Sequence, residues 1–244
     1  MKAAYQTDIG QQRAQNQDRV NLFTKNGVSL AVIADGIGGN RGGDVAAELT
    51  VSQLGHYFMT ATPHTVTEAT KWFKTQVQAV NDLIIQKSKQ IKDDQGMGTT
   101  LVGAIIFADQ AVVANIGDSR AYLLHGKDLR QVTVDHSLVQ ELVKHGDLTQ
   151  AEAEHHPKNN IITRAVGITS QAKVDVSLIE LVKNDQLLLC SDGLSKMVSR
   201  NTILKALLTC QDEQAKCAEL VDAANAAGGP DNITVLIVKN DQEG

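Results

Sequence analysis

Short apolar runs with period-two character open the chain: residues 2–9, 18–25 and 28–34 read as strands, the last two joined by Asn26-Gly27, a two-residue hairpin signal. Period-3.6 patterning then takes over. Val45 to Met59 reads as a helix, and a second starts at Thr65-Val66-Thr67-Glu68, which has capping-box form. Val66, Ala69, Phe73, Val77, Val80, Ile84 and Ile91 recur every three or four residues, which predicts a long helix laid across a sheet. Strand character returns over Thr99 to Phe107, Gln110 to Ile116 and Ser119 to Leu124. Ser137 to His145 and Thr149 to His156 read as polar, peripheral helices, the second with a capping box at Thr149 and Glu152. Strands follow at Ala172 to Val182 and Gln186 to Cys190, helices at Thr202 to Leu208 and Glu213 to Ala226, and a last strand at Asn232 to Val238. Strand groups separated by helix pairs predict an α+β sandwich, with residues 241–244 as a frayed tail.

The 244 residues show no Pro-rich, Ser-rich or charge-rich linker and no internal repeat, so residues 1–240 read as a single domain. With 23 basic and 28 acidic residues the formal net charge is −5, which argues against a nucleic-acid or anionic-membrane surface. The start lacks a signal-peptide core and no apolar run approaches the ~20 residues of a membrane span, so a soluble cytoplasmic protein is expected; a monomer is the default expectation for its assembly. Three cysteines without zinc spacing exclude a disulfide framework and a structural zinc. A cysteine-nucleophile phosphatase needs arginine six positions after its cysteine; Lys196, Lys216 and Ala223 stand there instead.

Against this background four aspartates stand out, in Ala34-Asp35-Gly36-Ile37-Gly38-Gly39, Gly117-Asp118-Ser119-Arg120, Ser191-Asp192-Gly193 and Pro230-Asp231-Asn232-Ile233-Thr234. The runs Leu30 to Ala34, Val112 to Ala114 and Leu187 to Cys190 read as buried strands, so carboxylates emerge at strand ends, where they can converge on a cation. Asp-Gly and Asp-Asn are also turn dipeptides, and any one motif alone reads as a turn. Four of them, with Arg13-Ala14-Gln15-Asn16-Gln17-Asp18, read as a site. Oxygen ligands without clustered histidine or cysteine favour Mg²⁺ or Mn²⁺. Two such ions about 3.5 to 4 Å apart can generate a hydroxide at neutral pH and stabilise a phosphoryl group, so hydrolysis needs no covalent intermediate. Arg13 supplies a planar fork suited to phosphate oxygens.

Taken in order, Arg13-x-x-Asn16-Gln17-Asp18, the Asp35 motif, Gly98-Thr99-Thr100, the Asp118 motif, Asp135-His136-Ser137, Ile162-Thr163-Arg164-Ala165-Val166-Gly167, the Asp192 motif and the Asp231 motif resemble those of the metal-dependent (PPM, type 2C) Ser/Thr protein phosphatases in their compact bacterial form. The resemblance implies a central antiparallel β-sandwich flanked on both faces by antiparallel helix pairs, a four-layer αββα fold, with the metals at one end. It implies two Mn²⁺ or Mg²⁺ ions, with a third in bacterial relatives. Asp35 would bridge the first two ions, Asp192 and Asp231 would complete the first site, and the Gly36 carbonyl would serve the second. Asp18 would act through coordinated water, and Arg13 would bind the substrate phosphate. Asp118 with Asp192 would match the third site. Thr99, Asp135, His136, Ser137 and Arg164 take supporting roles, and residues 138–160 match a flap beside the active site. Phosphoserine and phosphothreonine proteins, and with them a eukaryotic-like Ser/Thr kinase or its targets, are the implied partners.

Three positions depart from the family pattern. Ile37 and Asn40 stand where relatives carry histidine, so no side chain is assigned as general acid and a metal-bound water, such as one at the third site, is the first candidate; His145, His155 and His156 in or beside the flap are second-line candidates. Gln17 replaces a glutamate, which predicts a weaker second metal and millimolar metal dependence. Two rival readings fare worse. A dinucleotide fingerprint needs glycines at 36, 38 and 41, but position 41 is arginine. A non-catalytic phosphoprotein-binding module of the same fold should have lost a metal aspartate, and Asp35, Asp192 and Asp231 are all present.

Overall fold

The computed structural model describes residues 1–38, 42–90, 96–154 and 156–241. Gly39, Asn40, Arg41, Ile91, His155 and residues 242–244, which enter the sequence reading, lie outside the described residues. Strand β1 (Lys2–Asp8) is followed by the hairpin β2 (Asp18–Lys25) and β3 (Val28–Ile37), whose turn residues Asn26 and Gly27 both have positive φ, 53° and 79°. Helices α1 (Gly42–Thr60) and α2 (Val66–Ser88) come next. Strands β4 (Gly98–Thr99), β5 (Leu101–Ile106), β6 (Gln110–Ile116), β7 (Arg120–His125) and β8 (Asp128–Gln131) lead into the short helices α3 (Leu138–His145) and α4 (Gln150–Glu154). Then follow β9 (Asp175–Glu180), β10 (Gln186–Cys190), α5 (Asp192–Ser195), α6 (Arg200–Leu208), α7 (Glu213–Ala226) and β11 (Ile233–Lys239).

The strands form two antiparallel sheets, one in the order β1-β11-β10-β7-β8 and one in the order β2-β3-β5-β6-β9, with β4 added beside β3. Three apolar layers hold the stack. Ile33, Val102, Ala104, Leu123, Leu189 and Leu236 fill the space between the sheets. Leu30, Val32, Ile105 and Val112 face the other way, onto Leu54 and Phe58 of α1 and Phe73, Val77 and Ile84 of α2. On the opposite face Tyr122, Leu188, Val235 and Ile237 pack on Ile203 and Leu207 of α6 and Leu220 and Val221 of α7. The predicted αββα layering and the α2 stripe are therefore both present, the strands burying alternate residues on opposite faces.

Departures from the predicted elements are local, and half of them fall near the carboxylates. The strand expected over 99–107 breaks at Thr100, whose backbone N–H donates to Asp35 O at 2.8 Å while the Thr99 hydroxyl donates to the same carbonyl at 2.8 Å. Two hydrogen bonds to Asp35 outweigh one ladder position. Strand β3 runs three residues beyond Ala34, and β9 is shorter than the segment 172–182. Strand β8 and helix α5 were not anticipated, since four-residue elements carry too little periodicity to read. Asp241, expected in a frayed tail, is held by the N-terminal ammonium at 2.6 Å. Among the described residues no helix is long and apolar enough to cross a membrane.

Candidate active site

Asp18 at the start of β2 lies directly opposite Asp35 near the end of β3. The same end of that sheet carries Ile116, the last residue of β6, so Asp118 leaves the fold beside them. In the other sheet Cys190 pairs with Val235, which brings Asp192, just after β10, next to Asp231, just before β11. Ser191 ties the two sheets together here, donating through Oγ to Asp18 Oδ2 at 2.7 Å. Five aspartates thus meet at one end of the sandwich.

The glycines after Asp35 and Asp192 are not turn glycines, since neither has positive φ. They are required by backbone crossings. A Cβ on Gly36 would stand 2.3 Å from Gly43 O at the start of α1, and one on Gly193 would stand 2.0 Å from Asn232 O. Asn232 anchors the remaining strand of the site. Its Oδ1 accepts from Gln17 N at 2.8 Å, and its Nδ2 donates to Ile9 O at 2.9 Å and Gln15 O at 3.0 Å, fixing the loop that carries Arg13.

Crowding of like charge away from water raises the proton affinity of these groups. Burial, and then repulsion from Asp192 and Asp231, pushes Asp18 up to about 7, although the hydroxyls of Thr234 and Ser191, each donating to Oδ2 at 2.7 Å, pull the other way. Asp35 is raised well above the usual carboxylate range by burial and by Asp18, Asp192, Asp118 and Asp231 in turn. Asp118 is pushed up to about 6 by burial and Asp192, against the opposing pull of Lys196.

Two cationic side chains balance part of this charge. Arg13 Nη2 donates to Asp231 Oδ2 at 2.7 Å, with half of the Arg13 side chain exposed. Lys196 Nζ donates to Asp118 Oδ2 at 2.9 Å and to Asp192 Oδ2 at 2.6 Å. Burial works against that ammonium, but Asp192 and Asp118 outweigh it and raise the lysine above its ordinary range. Among the described residues no three acidic, histidine or cysteine side chains already stand round one point at ligand distance. Arg13 and Lys196 engage three of the five carboxylates instead. The donor set nonetheless suits a hard divalent cation: Asp18 Oδ1 and Asp192 Oδ1 are buried without a hydrogen-bond partner, a costly state for a carboxylate oxygen that a cation relieves.

Around the acids lies a polar frame. Gly117 N donates to His136 Nδ1 at 3.2 Å, which leaves the proton on Nε2, directed at Asp175 Oδ2 at 3.0 Å. Arg164 Nη1 donates to Asp175 Oδ1 at 3.1 Å, and Arg120 forks onto Asp135 with contacts from 2.7 to 3.0 Å. Thr100 and Ser119 share a hydroxyl contact at 2.8 Å beneath Asp35 and Asp118. Beside this frame, Ile37, Glu141, Ile162, Arg164, Ile168 and Lys173 line a groove of about 620 Å³ between the site and the flap helix α3. The flap histidines His145 and His156 are engaged locally, through Glu141 O at 2.7 Å and Lys158 N at 3.1 Å.

Sequence reasoning brought Arg13, Asp18, Asp35, Gly36, Asp118, Asp192 and Asp231 forward, and the structure gathers all seven at one end of the sandwich. It overlooked Ser191, Thr234, Asn232 and Lys196. The signal for Ser191 and Thr234 was available: each is a hydroxyl within an aspartate motif, Ser191 next to Asp192 and Thr234 three positions after Asp231. Ser191 precedes helix α5 but makes no cap bond there, because its hydroxyl is turned to Asp18. Lys196 was identifiable only as the residue one helical turn after Asp192.

Similarity to known proteins agrees with this geometry. The chain is 41% identical over 243 residues to the serine/threonine phosphatase stp of Listeria monocytogenes serotype 4b, covering 99% of this chain and 96% of that one. It is 41% identical over 247 residues to protein phosphatase PhpP of Streptococcus pneumoniae strain R6, covering 100% and 99%. The S. agalactiae serine/threonine phosphatase superposes with a TM-score of 0.92 at 38% identity, over 97% of this chain and 98% of that one. The catalytic domain of PstP, solved in complex with two manganese ions, superposes with a TM-score of 0.85 at 34% identity, over 97% and 96%. The Protein phosphatase 2C profile matches residues 8–226. A two-sheet α+β sandwich with five aspartates at one end, relatives of that kind over the full chain and a family match of this length lead to one assignment: the chain belongs to the protein phosphatase 2C family.

Proposed function

We propose that this chain hydrolyses phosphoserine and phosphothreonine in protein substrates at the aspartate cluster, in a metal-dependent reaction without a covalent intermediate. The observation that carries the reading is the pair of orphaned, buried carboxylate oxygens, Asp18 Oδ1 and Asp192 Oδ1, within a cluster whose carboxyls are raised by mutual repulsion. Two Mn²⁺ or Mg²⁺ ions bound there supply an activated water nucleophile and charge for the phosphoryl oxygens. In this reading Asp35, Asp192, Asp231 and the Gly36 carbonyl would hold the ions, Asp35 serving both, and Asp18 would act through an intervening water. Arg13, half exposed at the rim, receives the substrate phosphate with its planar fork. The Thr99 and Thr100 bonds to Asp35 O hold the spanning carboxylate's backbone still, so its geometry is set before substrate arrives.

No side chain is assigned to protonate the leaving alkoxide: Ile37 lines the groove, and among the described flap histidines His145 and His156 each make one contact within the flap through Nδ1. We place residues 1–240 in one catalytic domain acting as a cytoplasmic monomer on phosphoproteins that a eukaryotic-like Ser/Thr kinase modifies. The test is phosphate release from a phosphothreonine peptide with Mn²⁺ and with excess chelator. Metal-dependent release is expected, and Asp35→Asn should lower it by more than the roughly 10–100-fold that a supporting residue costs. Activity surviving Asp35→Asn at saturating metal would remove Asp35 from the spanning role. A folded protein with no release under any metal would favour a phosphoprotein-binding module instead.

A further inference from the structure

The gap between Asp118 and Asp192 is filled by this chain's own cation. Lys196 Nζ bridges the two carboxylates at 2.9 and 2.6 Å, and three-quarters of the lysine side chain is withdrawn from solvent. Its backbone is fixed as firmly as its tip. Lys196 closes helix α5, its N–H donating to Asp192 O at 2.9 Å, one turn below the carboxylate its ammonium reaches. Buried Leu194 and Val198 pin the segment on either side, and the crossing of Gly193 over Asn232 O prevents the turn from shifting.

We propose that Lys196 serves as a tethered cation that takes the place of a third divalent ion at Asp118 and Asp192, so that this chain holds two metal ions and no more. The inference rests on the two-ion reading of the neighbouring site. An Mg²⁺ or Mn²⁺ ion held by both carboxylates needs their oxygens at roughly 2.0–2.2 Å. An ammonium already within hydrogen-bond distance of both occupies that position and repels a second cation. Ammonium and metal therefore exclude one another. The exchange has a chemical consequence, because a lysine neutralises the pair without offering an open coordination position for water or phosphate. Asp118 then serves to hold Lys196 and Asp192 in place rather than to bind metal.

Counting bound Mn²⁺ per folded chain by equilibrium dialysis with elemental analysis tests this, with Mn²⁺ alone as the probe. The wild type should saturate at two ions, and Lys196→Met, which keeps the stem and removes the charge, at three. Adding Asp118→Asn to Lys196→Met should return the count to two. Lys196→Gln serves the same purpose should the methionine variant fail to fold. Three ions on the wild type, two on both neutral variants, or three persisting after Asp118→Asn would each overturn the proposal. Fewer than two ions on the folded wild type would instead sink the two-ion reading, and this inference with it.

Discussion

Asp18 and Asp35 are register partners across β2 and β3, two carboxylates on facing positions of an antiparallel pair. Like charges directly opposite destabilise a sheet, and here Asp18 is buried and Asp35 half-buried. The fold accepts this only at the end of the sandwich. There the hydroxyls of Ser191 and Thr234, from the other sheet, each reach Asp18 Oδ2 at 2.7 Å. The pair is a stored electrostatic cost that a bound cation removes.

That cost predicts a pH dependence of the metal-free protein. Asp18, pushed up to about 7, and Asp118, pushed up to about 6, bind protons more tightly when folded than when unfolded. Their ionisation therefore favours the unfolded chain, and stability falls as pH rises from about 4 through about 7. In chelator, Tm should drop between about pH 5 and pH 8, and saturating Mn²⁺ should raise Tm more at pH 8 than at pH 5. Asp18→Asn should flatten the metal-free profile. An equally steep profile in that variant would show that other groups set the dependence.

Gly193 offers a geometric prediction. A methyl group there would meet Asn232 O at 2.0 Å, so Gly193→Ala must push β11 away from α5 and separate Asp192 from Asp231. Overpacking of this kind costs about 1–3 kcal/mol, read as a shift in urea midpoint. It should also weaken Mn²⁺ binding. Gly27→Ala, at φ 79° in the β2–β3 turn with open space around its Cβ, is the control. It should cost about 1–2 kcal/mol of stability and leave metal binding untouched.

These glycines show where the sequence was legible and where it was not. The α2 stripe, the Asn26-Gly27 hairpin and the α7 boundaries were readable, because burial on one face and positive φ leave local marks. Asp-Gly, by contrast, reads as a turn at both Asp35 and Asp192. In the structure it is a close backbone crossing, of Gly36 with Gly43 at the start of α1 and of Gly193 with Asn232, and in neither case does the dipeptide itself mark the crossing. Convergence of the aspartates could be inferred from their order, but Lys196 could not, since its meaning depends on Asp118, 78 positions away.

Gln17, beside Asp18 in the loop that Asn232 anchors, is the position where the resemblance drawn from the sequence implies a glutamate. One carboxylate fewer near the second ion predicts half-saturation by Mn²⁺ in the millimolar range, measured by calorimetry or by activity. Gln17→Glu should tighten that step by about 10-fold, the scale of one supporting charge at a metal site. Saturation of the wild type at low micromolar Mn²⁺ would count against the argument.

Arg13 is bound to Asp231 at 2.7 Å, yet half of its side chain is exposed. It therefore has two duties that pull apart. Without metal it neutralises Asp231; with a cation satisfying Asp231, its fork is released toward the groove mouth and a substrate phosphate. Arg13→Ala should consequently leave Mn²⁺ affinity unchanged or tighter, because a competitor for Asp231 is gone. It should raise KM and lower kcat/KM for a phosphothreonine peptide by about 10–100-fold, the scale of a lost hydrogen bond to a charged group. Arg13→Lys should recover only part, since an ammonium cannot make the paired contact. Weaker Mn²⁺ binding in Arg13→Ala would mean that Arg13 supports the metal-bound Asp231 rather than the substrate.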